Sequence, residues 1–163
     1  MAIFHPPCTY LCNSGVRWLY EKEERHAQML EAAEFFKALL NAPIKHIAVE
    51  NPRMHHFGVA AIGGSRQNFT VQPWMFGDWE TKGTGFWTKN LPDLIPTYPT
   101  KAAARVALGL PEDAKPGTSV HFAAPGKDRW RKRSTTFPGI AAAAAEQWSA
   151  YVLAQLEASC STD

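Results

Sequence analysis

The sequence predicts an α/β fold built on a parallel strand-helix-strand unit, and three observations carry that prediction. Residues 2–4 are apolar and are stopped by Pro6-Pro7, residues 45–50 read as a second buried strand stopped by Asn51-Pro52, and the stretch between them has apolar residues at helical spacing. Two strands joined through a helix pair in parallel, with a right-handed crossover.

Each element follows from its residues. A helix is predicted over 17–40, with Leu19, His26, Met29, Ala33, Phe36 and Leu40 on one face and Glu21, Glu23, Glu24 and Glu31 mostly on the other. Asn41-Ala42-Pro43 ends it, because proline cannot continue a helix. Gly63-Gly64 reads as a linker, 68–72 as a strand and 85–88 as a further β-like run. Residues 92–125 are rich in proline and turns, with one short helix over 100–108. A final helix over 138–156 lines up Ile140, Ala144, Trp148, Val152 and Leu156, with the alanine run 141–145 as helix filler. The chain is read as a single domain with an α/β core over 1–91, a short irregular insertion over 92–135 and a C-terminal helix over 136–158 that returns to the core.

Composition sets the class. The 163 residues suffice for one sizeable core. Seventeen basic against fifteen acidic residues leave a net charge of +2, which by itself demands no polyanionic partner. The sequence contains neither an apolar run of membrane-spanning length nor a secretory pattern, so a cytoplasmic protein with no membrane partner is expected. Three cysteines, Cys8, Cys12 and Cys160, form no even framework and read as reduced thiols.

The chemistry concentrates at the ends of the two strands. Cys8 follows two prolines, which stop the strand and present the thiol on a stiff turn. A thiolate is a strong nucleophile, although most free cysteines are small buried hydrophobes. Glu50 ends the second strand, where partial burial would favour its protonated form and suit it to proton delivery; the alternative is a carboxylate that caps amides or pairs with Arg17 or Arg53. In open α/β sheets the carboxyl ends of adjacent parallel strands face one crevice, so the loops of Cys8 and Glu50 are expected to meet. His5, Cys8 and Cys12, with His55 and His56 as further donors, match no standard zinc spacing, and no metal site is predicted. Trp74, Trp79, Phe86 and Trp87 read as core or crevice lining.

The pair Pro7-Cys8 and Glu50-Asn51-Pro52 resembles the DNA cytosine-5 methyltransferases, whose catalytic loop reads Pro-Cys-Gln and whose next strand ends in Glu-Asn-Val. That family's Gly-x-Pro-Gln-x-Arg-x-Arg segment has a counterpart in register at 77–84, where Glu80, Lys82 and Thr84 take the Gln/Arg/Arg positions. The Gly-Asn turn that opens its last helix has a looser one at Phe137-Pro138-Gly139-Ile140. His-Pro-Pro-Cys with Glu-Asn-Pro is similar to small phage or prophage relatives. Thr9 replaces the family's glutamine, and its glycine-rich S-adenosylmethionine strand-turn is absent from these residues.

The resemblance implies a partial Rossmann-like methyltransferase fold, with 92–135 as a short recognition region and an expected truncation or second polypeptide supplying the cofactor half. It implies that Cys8 adds to cytosine C6, Glu50 protonates N3 and C5 takes a methyl group from S-adenosylmethionine, with Asn51 orienting the loop. Pro7, Pro138 and Gly139 would contact the cofactor, and Ser14 and Lys82 would touch DNA phosphate. The target base in duplex DNA would be flipped out.

A basic cluster, Lys127, Arg129, Arg131, Lys132 and Arg133 with Trp130 inside it, adds an expected nucleic-acid surface with an aromatic platform. With Asp128 it carries a net +4, leaving the remainder of the chain at −2. Two other readings stay open: a nucleic-acid-binding remnant without catalysis, and a thymidylate-synthase-like enzyme, which also attacks C6 of a pyrimidine. An unpaired sheet edge would invite a homo-oligomer.

Overall fold

The computed structural model describes residues 1–120, 126–127 and 129–160, with backbone alone for Arg129, Trp130 and Lys132. These residues divide into two compact units, Met1–Thr70 with Thr84–Asp93, and Val71–Gly83 with Leu94–Asp163.

The first unit is α/β. Its strands are β1 (Ala2–Phe4), β2 (Ile47–Pro52), β3 (Phe69–Val71) and β4 (Thr84–Lys89), in the order β1-β2-β4-β3. β1 and β2 are parallel, with Ala2 opposite Ile47 and Phe4 opposite Val49. β4 runs antiparallel to β2, so the sheet is mixed. β2 extends through Asn51 and Pro52, two residues past the predicted stop, because Pro52 pairs with Thr84 on the β4 side alone. Its β1 neighbour has already ended at Phe4, so no ladder bond on that side asks for the amide that proline lacks.

The predicted single helix over 17–40 is two: α1 (Trp18–Glu21) and α2 (Glu24–Leu40), separated by extended Lys22 at φ −136° and ψ 119°. The break lets Arg25 turn back, donating from Nη2 to the Thr9 carbonyl at 2.5 Å and stacking over Tyr10 at 4.1 Å. On α2 the buried stripe is Met29, Ala33 and Phe36, while His26 is exposed. That stripe packs with Leu11, Ile47, Val49, Met54, Ile62 and Trp87 in one core, where Phe36 meets Trp87 edge to face at 5.1 Å. Burying one such aromatic contributes about 1.5–3 kcal/mol, which is why this 17-residue helix is held without a side-chain cap at its N-terminus. A short helix α3 (His56–Ala61), not predicted, follows β2 and ends before Gly63 and Gly64, both at positive φ.

The second unit contains α4 (Lys101–Ala107), α5 (Arg129–Ser134) and α6 (Pro138–Cys160). Thr100 caps α4 by accepting from the Ala103 amide at 3.1 Å. On α6, Ile140, Ala143, Ala144 and Trp148 are buried, whereas Leu156 of the predicted stripe is exposed. Among the described residues no helix is long and apolar enough to cross a membrane.

Candidate active site and nucleic-acid surface

The parallel register of β1 and β2 carries the site. One residue beyond the last paired positions, Phe4 and Val49, stand His5 and Glu50, and His5 Nδ1 lies 2.9 Å from Glu50 Oε2. Glu50 and Asn51 are both buried, at 6% and 1% exposure. Asn51 Nδ2 donates to the carbonyl of Pro6 at 3.4 Å, while its Oδ1 is buried without a partner.

The turn that follows Pro6 is held from two directions. Within it, the amides of Leu11 and Cys12 both donate to the Cys8 carbonyl. From outside, the stretch after β2 zips onto it: Asn13 N donates to Arg53 O, His55 N donates to Leu11 O, and Cys12 bridges Met54. His55 accepts from the Gly58 amide at Nδ1 and meets the Tyr10 carbonyl through Nε2 at 3.0 Å, so it caps α3 and fastens the turn. Gly58 is required here, since a Cβ would lie 2.8 Å from the Leu11 carbonyl oxygen. His55, considered in sequence only as a metal donor, is therefore a structural clamp. Among the described residues no group of three or more His, Cys, Asp or Glu side chains is arranged to hold a metal ion.

Cys8 is half-buried, and its thiol is pushed well above the ordinary cysteine range. The largest cause is the hydrogen bond with the Cys12 side chain; burial, the charge on Cys12 and the negative charge of Glu50 act in the same direction, against a smaller opposing backbone bond. Cys12 Sγ is itself 3.0 Å from Ser14 Oγ. Two consequences follow. The Glu50 carboxylate opposes ionisation of the Cys8 thiol. The resting sulfur is a thiol, and any attack by it must begin with the loss of a proton.

The remaining predicted positions divide. Pro7 is exposed, and Ser14 is exposed with its hydroxyl engaged by Cys12. In the second unit the 77–83 part of the 77–84 segment turns its charges inward. Asp78 Oδ2 accepts from the Gly139 amide at 2.8 Å, Glu80 Oε2 accepts from Ser119 N at 3.1 Å, and Lys82, 6% exposed, donates from Nζ to Thr135 O at 3.0 Å. Lys82 is thus an interior staple, not a surface cation. Pro138 is exposed at the first position of α6. Gly139 has no open space, because a Cβ would strike the Phe76 carbonyl and sit 2.9 Å from Asp78 Oδ2. Of the residues assigned to S-adenosylmethionine, Pro7 and Pro138 are thus both exposed, and the Gly139 amide and free face are taken by Asp78 and Phe76.

Of the basic cluster, Lys127 and Arg131 are exposed and Arg133 is half-buried; the side chains of Arg129, Trp130 and Lys132, and Asp128 altogether, lie outside the described residues. A second cationic feature was not anticipated. A cavity of about 500 Å³ in the second unit is lined by Trp79, Lys101, Arg105, Glu112 and Lys115, among others. Lys101 and Arg105 are four residues apart on α4, one helical turn, which brings both cations to one wall. That spacing was visible in the sequence, but the partnership with Lys115 and Trp79 was not, since it depends on how the proline-rich segment folds back.

Compared with family models, with curated proteins and with solved structures, the chain matches none.

Proposed function

We propose that this chain is a DNA cytosine-5 methyltransferase-like protein of phage type, with a Rossmann-like catalytic half, whose own residues carry out the covalent activation of cytosine. The observation that carries the reading is the parallel register of β1 and β2, with Asn51, next to Glu50 on β2, bonded to the Pro6 carbonyl at the start of the turn that bears Cys8.

The raised thiol suits an internally balanced step. Cys8 sulfur bonds to C6 of the pyrimidine, its proton passes to the Glu50 carboxylate, and Glu50 delivers a proton to N3. The step adds no new charge to the buried site, and C5 becomes an electron-rich enamine carbon. Asn51 holds the Pro6 carbonyl and so the start of the turn that bears the sulfur. The family's glycine-rich S-adenosylmethionine strand-turn is absent from these residues, so a second polypeptide would supply the methyl donor's site, and β1, the sheet's edge strand, is where such a partner or a second copy would pair.

The test omits the methyl donor. Wild-type protein with a cytosine-containing single strand in D2O is expected to exchange the C5 hydrogen for deuterium, and 5-azacytosine DNA is expected to add its mass to the Cys8 peptide. Equal exchange by Cys8→Ser would remove the proposal.

A second reading is favoured by the cationic cavity beside Trp79: a nucleic-acid-binding protein of the same fold without catalysis. It predicts strand binding that weakens with salt and no exchange at C5.

A further inference from the structure

We infer that His5 is the positioning and proton-relay residue of Glu50, an inference that rests on the activation of cytosine proposed above. The Glu50 side chain is 7% exposed and the His5 side chain 49%, and they meet at 2.9 Å. His5 is thus the one side chain hydrogen-bonded to Glu50 among the described residues, and it joins a buried carboxylate to water. Its position is fixed from both sides. The residue before it, Phe4, is paired with Val49, and the residue after it, Pro6, is buried with its carbonyl held by Asn51. Preceding a proline, His5 is also biased toward extended backbone, which continues the line of β1 toward Glu50.

Proton balance gives this contact a task. Sulfur adds to C6 while its proton passes through Glu50 to N3, and C5 then takes a deuteron from solvent. The original C5 proton is lost, the S–C6 bond breaks, the N3 proton returns, and the thiol is restored. One hydrogen enters C5 and one leaves it on every cycle, and the relay carries both between C5 and solvent through Glu50 and His5, because the carboxylate has almost no solvent contact of its own. Imidazole accepts at one nitrogen and releases from the other, so a half-exposed histidine carries that traffic. The titratable groups linked to it are Glu50 on β2 and, through Glu50, Cys8 and Cys12 of the turn.

Two measurements test the relay. In the C5 exchange assay, His5→Ala and His5→Gln are expected to slow deuterium uptake by about ten- to a hundredfold. Added imidazole should restore His5→Ala, where the ring's space is open, and leave Glu50→Gln unrestored. Uptake by His5→Ala at the wild-type rate, or a slowed rate that imidazole does not recover, overturns the relay. The second measurement needs no substrate: iodoacetamide alkylation of Cys8 against pH, read on the Cys8 peptide. The wild-type profile is expected to show a second inflection that vanishes in His5→Ala and in Glu50→Gln; a single inflection in all three overturns the coupling. A wild-type protein with that inflection but no C5 exchange would sink the cytosine reading while leaving His5 linked to Cys8.

Discussion

Asn51 Nδ2 donates to the Pro6 carbonyl at 3.4 Å, so the end of β2 is fastened to the start of the turn that carries Cys8. The bond joins residues 45 positions apart in the chain. Asn51→Leu keeps the volume and removes the donor, leaving the buried Pro6 carbonyl without its partner. A loss of about 1–3 kcal/mol is expected in urea unfolding, offset in part because the orphaned Oδ1 disappears with it. Unchanged stability together with unchanged Cys8 alkylation would show that this bond positions nothing.

Glu50→Gln separates the two roles of the carboxylate. Its negative charge opposes ionisation of Cys8, so its removal lowers the thiol toward the ordinary range and raises the thiolate fraction at any given pH. Alkylation of Cys8 at pH 7 is therefore expected to quicken, while C5 exchange falls by about a hundredfold or more with the loss of the proton donor. Slower alkylation would contradict the electrostatics.

The raised thiol also predicts how stability depends on pH. In the unfolded chain Cys8 ionises near its ordinary value of 9.0, whereas the folded protein holds the proton to higher pH. The unfolded state thus binds fewer protons above that point, and stability falls as pH climbs from about 9. The slope is at most about 1.4 kcal/mol per pH unit and is reduced by partial solvent access to the sulfur. Urea midpoints at pH 8, 9 and 10 should show a decline that Cys8→Ser flattens; an equal decline in the variant would assign it to other groups.

The cavity of the second unit gives a prediction independent of the thiol. If Lys101, Arg105 and Lys115 grip phosphate, each alanine substitution should reduce the salt slope of single-strand binding by about 0.7. Quenching of Trp79 fluorescence by the bound strand, lost in Trp79→Phe, would place a base against the indole. Variants with unaltered salt slopes would move the binding surface elsewhere, with Lys127 and Arg131 the next to test.

Local signals were strong where local physics decides. Thr100 before a run of helix formers marked the start of α4, and Pro138 marked that of α6. The two strand-like runs revealed β1 and β2, and the right-handed logic of a strand-helix-strand unit requires only their order and length. The break at Lys22 was not legible, because it serves Arg25, whose contacts with Thr9 and Tyr10 lie in a turn upstream. Nor was the inward turn of Asp78, Glu80 and Lys82: charges in a polar stretch read as solvated until the backbone groups they satisfy are known.

What the sequence by itself determined is an α/β core whose first two strands pair in parallel, since residue spacing and strand punctuation are properties of neighbours in the chain. Tertiary structure alone decided that β4 enters beside β2 in the opposite direction, that His5 meets Glu50, and that Cys12 and Glu50 together keep Cys8 protonated. Those outcomes depend on burial and on charges brought within a few ångströms by packing, where the loss of water strengthens every polar contact, and no pattern of adjacent residues encodes them.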